Sequence, residues 1–430
     1  MKRSILENLR NLDVNFRSFQ SFSVLLKVMA ILSSASIVPF LVYGHGVHGF
    51  ALFSLATALV YTVASVDFGV ANLINSTSKH DLVKVNQQFQ LAKMIIVLLP
   101  AVYLLVSSLI YLLNSEVLHL FVYFKLPYIF IGSYLAILNN LGLKLLLMDE
   151  KVRKYQFLQP VQQILSNIFI LFTASQLSLE RIFIASTVLA NFTGGFIALV
   201  LILKHSHTFN LKSISNSIRK NLASLVIFQY LQLLSIFNSQ GIILLISRFY
   251  SLQVVAIYSL SARIFQSVNQ VYGQLIADYW NQISRLKFWG DKKSLYSQYI
   301  TLLKRSIWYG SLVNCSILLV GPYIFREFLS LEYNFYLFLS LAFYWTCTLI
   351  FIPISFTFNG LLYTKGQFVS QSMVTFASFC AITYFGFSNL TLSLSIFVIG
   401  VFISLFVLPF SHYLIKKYLA TAQLGIAVIK

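Results

Sequence analysis

Twelve apolar stretches fill this chain nearly end to end. A spanning helix needs ~20 predominantly apolar residues. The stretches that meet this length are 22–43, 50–73, 94–114, 127–148, 158–176, 182–203, 222–249, 254–277, 306–325, 335–360, 371–387 and 391–414. Little is left between them for a soluble domain or a catalytic module. Composition agrees: 58% of the 430 residues are hydrophobic and only 10% are charged, against roughly 25% charged in a soluble domain. The expected fold class is therefore an all-α integral membrane protein with about twelve transmembrane helices. In such a protein function is read from the polar groups that interrupt the apolar pattern.

Lys and Arg orient the spans, because cytoplasmic loops retain positive charge. With the N-terminus inside, Lys125, Arg181 and Arg326 fall outside, with Arg248 at the outer rim of the seventh span, and Lys27, Lys144 and Arg263 fall within spans. The rest of the 31 Lys and Arg lie inside. An even number of spans then places both termini in the cytoplasm. The net charge of +19 follows from this sorting and from anionic headgroups, so no nucleic-acid partner is expected. The polar stretch 1–21 reads as a cytoplasmic amphipathic helix, with Ile5, Leu9, Leu12, Phe16 and Phe19 at helical spacing. No cleavable signal peptide is expected. Cys315, Cys347 and Cys380 lie singly in spans and form no disulfide framework. The pairs His45/His48 and His205/His207 lack a third ligand nearby, so no metal is expected.

The basic, polar segment 206–221 sits near the middle, with six spans on either side. The expected organisation is a first six-helix bundle over 22–205, a cytoplasmic linker over 206–221, a second bundle over 222–414 and a cytoplasmic tail over 415–430. Paired halves are common in transporters, with the substrate path between them. Pro39, Pro100, Pro322, Pro353 and Pro409 fall inside spans, where each removes a backbone donor and bends its helix. Ser33, Ser34 and Ser36 precede Pro39 closely. They suit either a cavity-lining bend or tight helix packing.

Lys144, near the inner end of its span, reads as snorkelling to the surface; three other charges stand inside spans without an obvious reason. Lys27 on the first span and Asp67 on the second lie at similar depth on sequential antiparallel helices. A central charge costs ~2.5–3.5 kcal/mol on insertion scales, which an ion pair would partly offset. Such a pair is a structural tie or an ion-coupled gate; the other reading has Lys27 snorkelling to the surface. Arg263 lies near mid-bilayer, and Gln266, Gln270 and Gln274 follow it on roughly one helical face. A polar stripe on a span faces water or protein rather than lipid. A guanidinium in a hydrated cavity is suited to a diphosphate or carboxylate, because its planar fork donates two hydrogen bonds. Gln229, Gln232, Asn238 and Gln240 on the seventh span, and Gln162, Gln163 and Asn167 on the fifth, add amides. These either glue helices or serve a hydroxyl-rich ligand. The candidate substrate-binding set is Arg263, Gln266, Gln270, Lys27, Gln229 and Asn238; the candidate gate is Asp67 with Lys27.

No GxxxxGK[ST], HExxH or GxSxG motif occurs, so neither an enzyme nor a bound cofactor is expected. The segment PFLVYGHGVHGFALFSLATALVYTVASVDFGVANLI, residues 39–74, carries Pro39, Gly49 and Asp67-Phe68-Gly69. It resembles the first hairpin of Wzx-type polysaccharide (O-antigen) flippases of the MOP superfamily, which also includes MATE exporters. Residues 238–265, NSQGIILLISRFYSLQVVAIYSLSARIF, resemble the start of that family's second half, with Gln240 where the family often has Asp and Ala256 where it often has Gly. Gly290-Asp291 is a further similarity.

The resemblance implies two six-helix bundles in a V-shaped, MATE-like arrangement. It implies an undecaprenyl-diphosphate-linked oligosaccharide as cargo, carried from the cytoplasmic to the periplasmic leaflet of a bacterial inner membrane for polysaccharide or lipopolysaccharide synthesis. Arg263, with Lys27, would offset the diphosphate charge. Expected partners are membrane lipid, the lipid-linked oligosaccharide, a polysaccharide polymerase and a chain-length regulator. The alternative is a MATE-like, cation-coupled multidrug exporter. Such a protein would favour cavity carboxylates, whereas Asp67 is the sole acid well inside a span.

Overall fold

A computed structural model describes residues 2–64, 94, 126–148, 152–205, 211–276, 291–323, 325–326, 334–361, 363–388 and 391–421, together with single positions between 279 and 290. The order is α1 Lys2–Ala64, α2 Leu126–Met148, α3 Val152–Thr173, α4 Leu179–His205, α5 Leu211–Ile236, a π-helical turn Phe237–Gly241, and α6 Ile242–Phe249. Then follow α7 Leu252–Leu275, α8 Lys292–Tyr323, α9 Phe335–Gly360, α10 Thr364–Phe387, α11 Leu392–Phe402, a second π-helical turn Ile403–Val407, and α12 Leu408–Thr421. No strand occurs among the described residues. The chain is an all-helical membrane protein, as its apolar periodicity requires.

Among the described residues, five helical segments are long and apolar enough to cross a membrane: Ser36–Ala64, Leu225–Phe249, Phe335–Gly360, Thr364–Phe387 and Leu392–Ala420. Large apolar side chains stay exposed on these and neighbouring helices, among them Leu319, Trp308, Phe387 and Phe376. A soluble chain would bury such a surface; a bilayer solvates it.

Two local features come directly from sequence. Helix α1 is broken at Gly46, whose φ of 71° lies in the left-handed region that glycine enters without a Cβ clash. That break joins the first two spans by a very short turn. Pro39 sits inside the first arm, and Ser33 and Ser34 turn their hydroxyls back to the Ala30 carbonyl at 2.8 and 2.9 Å. The amides Asn238 and Gln240, which interrupt the seventh span in sequence, form the π turn Phe237–Gly241. Gly241 fits there because a Cβ would stand 2.8 Å from the Phe237 ring. Such turns mark places where the regular ladder is locally re-aimed.

The chain divides into two compact units. In the first, with described residues 2–45 and 126–225, α4 packs along α2 and α3. In the second, with described residues 46–64 and 226–421, α9 is the central helix, touching α7, α8 and α11. The second arm of α1 thus groups with the second unit. At one end of that unit Tyr279, Ile283, Leu295, Tyr299, Phe358 and Ile415 form a buried cluster. There Lys287 donates from Nζ to the Leu361 carbonyl at 2.6 Å, closing the C-terminus of α9. Burial lowers the Lys287 pKa from its usual range.

Candidate functional site

Helix α7 has two differently used faces. On one, Phe265 meets Phe338 with ring centroids 5.8 Å apart. Asn269 donates to the Thr348 hydroxyl at 2.9 Å and to the Trp345 carbonyl at 3.3 Å. One turn on, Tyr272 shares a hydrogen bond with Ser306 at 2.7 Å and stacks on Tyr309 at 4.9 Å. These contacts fix the rotation of α7 against α8 and α9. About a third of a turn away, Arg263, Gln266 and Gln270 follow one another at i, i+3 and i+7. Gln266 is half-buried and Gln270 exposed. The Gln274 side chain lies outside the described residues.

Arg263 is half-buried, and its guanidinium carbon lies 5.5 Å from the centroid of the Phe50 ring. Phe50, Ser54, Thr57 and Tyr61 share one face of the second arm of α1 by their spacing, and the Tyr61 hydroxyl lies within electrostatic reach of the same guanidinium. Among the described residues no carboxylate pairs with Arg263 and no side-chain or main-chain acceptor takes its N–H donors. A cation over an aromatic face gains ~0.5–1 kcal/mol when exposed and about 2 kcal/mol when desolvated. That offsets part of the cost of placing the charge in a span and leaves all five N–H donors available to an anion. Ser54, between Phe50 and Tyr61, is 2% exposed, and its hydroxyl has no partner among the described residues.

The other sequence candidates fall in different places. Asn238 lies on the π turn, where its amide oxygen accepts from Thr375 at 3.2 Å, so the structure engages it with α10. Gln229 is half-buried on α5. Lys27 belongs to the first unit and is half-buried on α1. Asp67, and with it the proposed Lys27–Asp67 pair, lies outside the described residues.

The first unit holds its own polar cluster. Asn167 is 5% exposed and donates to Ser33 at 2.8 Å and to Ser34 at 2.9 Å. Gln163, one turn earlier, also donates to Ser34 at 2.8 Å. Lys27, Ala30 and Ser34 lie on one face of α1 at i, i+3 and i+7, so this cluster continues the face that carries Lys27. The serines before Pro39 therefore pack against α3 amides, the glue alternative of the sequence reading.

Sequence reasoning missed the aromatic setting of Arg263. Phe50 and Tyr61 look like ordinary span residues, and only the packing of the second arm of α1 beside α7 exposes their role.

No protein-family profile matches the chain, and no curated protein matches it by sequence. Its fold is matched by solved structures. An inward-facing conformation of a multidrug resistance MATE family transporter of the MOP superfamily aligns over 91% of this chain and 96% of its own length, with a TM-score of 0.67 and 14% identity. An outward-facing conformation of a transporter of the same description aligns over 94% and 96%, with a TM-score of 0.54 and 14% identity. A mutant MATE transporter from Vibrio cholerae aligns over 93% and 97%, with a TM-score of 0.54 and 13% identity. The chain therefore has the fold of MATE family transporters of the MOP superfamily.

Proposed function

We propose that this chain is a multi-pass exporter of the bacterial inner membrane that moves an undecaprenyl-diphosphate-linked oligosaccharide repeat unit from the cytoplasmic to the periplasmic leaflet, without enzymatic chemistry. The observation that carries this reading is Arg263: a cation on α7, held over Phe50, with its hydrogen-bond donors unpaired by protein among the described residues. A fixed cation in that setting attracts an anionic headgroup and repels a cationic one. Two fork-geometry bonds to a diphosphate hold its charge while the lipid tail stays in the bilayer. The amides of Gln266 and Gln270, on the same face, supply donors and acceptors for sugar hydroxyls. The MOP-type fold, built for moving cargo across a membrane in the transporters that share it, supports export in general.

The second reading is export of cationic drugs, favoured by the description of the fold neighbours as multidrug resistance MATE transporters. Against it stands the scarcity of acids: Asp67 is the sole carboxylate well inside a span.

Complementation separates the two. A strain lacking the chain should make no mature surface polysaccharide, and the wild-type gene should restore it. Charge-assisted hydrogen bonds are worth ~1.5–3 kcal/mol each, so Arg263→Ala at normal membrane abundance should lower output by at least about tenfold. Arg263→Lys, which keeps the charge and loses the fork, should retain part of it. Full restoration by Arg263→Ala would remove the role given to Arg263. Intact surface polysaccharide with raised sensitivity to cationic dyes in the deletion strain would establish the drug-exporter reading instead.

A further inference from the structure

The turn between α6 and α7, the start of α9 and the turn between α10 and α11 surround a cavity of about 380 Å³ in the second unit. Small-molecule sites run from roughly 300 to 1,000 Å³. No residue of the Arg263 stripe lines this cavity. Its rim is made of hydroxyls and one amide, from Tyr250, Ser251, Asn334, Thr391 and Ser393. Its wall is apolar, formed by Phe249, Ile257 and Leu337. None of the described lining residues carries a charge.

Several contacts pre-set this arrangement. Asn334 caps α9 by accepting from the Leu337 amide at 3.0 Å through its oxygen, which turns its NH₂ group outward from the cap. Ser393 donates to Thr391 at 3.1 Å. Tyr250 shares a 3.4 Å contact with the buried Ser395 hydroxyl, which anchors its ring. The Phe249 ring meets Phe387 edge-on, with centroids 5.0 Å apart. It also lies directly on the backbone of Gly386, where an added Cβ would be 2.6 Å from Phe249 Cγ and 2.7 Å from Phe249 Cβ. Phe249 is thus a fixed aromatic wall that exists because residue 386 has no side chain.

We propose that this cavity binds an uncharged pyranose sugar. A pyranose has the matching chemistry: a C–H face for the Phe249 wall, and around it hydroxyls that both donate and accept, as the rim does. An ionised ligand would find no countercharge among the described lining residues. A purely apolar ligand would strip water from the rim hydroxyls and the Asn334 amide without replacing their hydrogen bonds. The assignment does not rest on the cargo proposed for Arg263, because a neutral sugar binds here by contacts that Arg263 does not make.

The test uses the full chain in lipid nanodiscs, prepared without glycosidic detergent. The probes are methyl α-D-glucopyranoside, methyl β-D-galactopyranoside and methyl N-acetyl-β-D-glucosaminide, with octanoate as the apolar control. Saturation-transfer NMR should show contact at the ring C–H protons of at least one pyranoside. Tyr250→Phe, which keeps the ring and removes the hydroxyl, should weaken binding by about 2- to 10-fold. Gly386→Ala, which drives Phe249 into the cavity, should abolish it, with helicity and elution unchanged. If Gly386→Ala does not fold, Tyr250→Phe decides alone. The assignment is overturned if no pyranoside receives saturation, if transfer is equal in wild type and both variants, or if octanoate alone binds.

Discussion

Gly194 and Gly195 are neighbours on α4, yet the packing of α4 on α2 predicts opposite outcomes when each becomes alanine. A Cβ at position 194 would overlap Asn139 Oδ1 and lie 2.8 Å from Asn139 Cγ and 3.1 Å from its main-chain oxygen. The Asn139 amide would have to swing away, and it now donates to Asn191 Oδ1 at 3.2 Å across the helix pair. Interhelical hydrogen bonds in membranes average ~0.6 kcal/mol, with a maximum near ~1.7. Overpacking adds about 1–3 kcal/mol, and the better helix propensity of alanine returns ~0.8–1.0 kcal/mol. The net expectation for Gly194→Ala is a loss of about 1–4 kcal/mol. A Cβ at 195 would meet only the Leu138 side chain, its Cβ at 3.4 Å and its Cδ1 at 4.0 Å, ordinary contacts, so Gly195→Ala should be neutral or gain up to about 1 kcal/mol. Denaturant titration of the purified protein in mild detergent, followed by circular dichroism, reads the difference. Equal midpoints for the two variants would refute the close approach of α4 to α2 at Gly194.

Three further outcomes are expected. Asp291 caps α8 by accepting from the Ser294 amide at 3.0 Å, and hydrogen bonds from the Ser294 side chain and backbone hold its pKa below the usual 3.8. Its contribution is therefore complete above that value and lost as pH falls through the depressed pKa; amide protection factors in the first turn of α8, corrected for the intrinsic pH dependence of exchange, should fall on acidification in wild type and stay constant in Asp291→Asn. Asp67→Ala should impair membrane accumulation, and Lys27→Ala with Asp67→Ala should lose less than the sum of the single changes; strict additivity would remove the ion pair. A reporter active only outside the cytoplasm should give signal when fused after Glu116 or Glu327 and stay silent after Lys84, Lys212 or Lys292; the reverse pattern would overturn the orientation drawn from Lys and Arg.

Much of the helical plan was legible because membrane spans announce themselves by apolar length. The span expected over 335–360 coincides with α9, Phe335–Gly360. Boundaries drifted where a helix continues past the bilayer. α8 begins at Lys292, well before the apolar stretch at 306, because an amphipathic turn capped by Asp291 costs nothing in hydropathy. The Gly290-Asp291 pair, noticed only as a similarity, has a local cause: Gly290 takes φ 72° and Asp291 caps the helix that follows. The amides of the seventh span were visible as an interruption, but periodicity could not say that they form a π turn.

The site was half legible. A cation and its stripe stand out against lipid-like sequence. Phe50, Tyr61 and the cavity beside Phe249 do not, because aromatic and hydroxyl residues are commonplace in spans and acquire meaning only from their neighbours. Gly386 is the clearest case, since its importance lies in what a missing Cβ lets Phe249 do.

The most direct test of the central claim is translocation itself. Purified chain is reconstituted into liposomes that carry a fluorescent undecaprenyl-diphosphate-linked oligosaccharide, and the fraction reaching the opposite leaflet is followed by a membrane-impermeant quencher. The account predicts movement above protein-free liposomes with the wild type, at least about tenfold less with Arg263→Ala, and no competition from a cationic dye. Unchanged leaflet distribution of the lipid-linked sugar, together with uptake of the cationic dye, would contradict it.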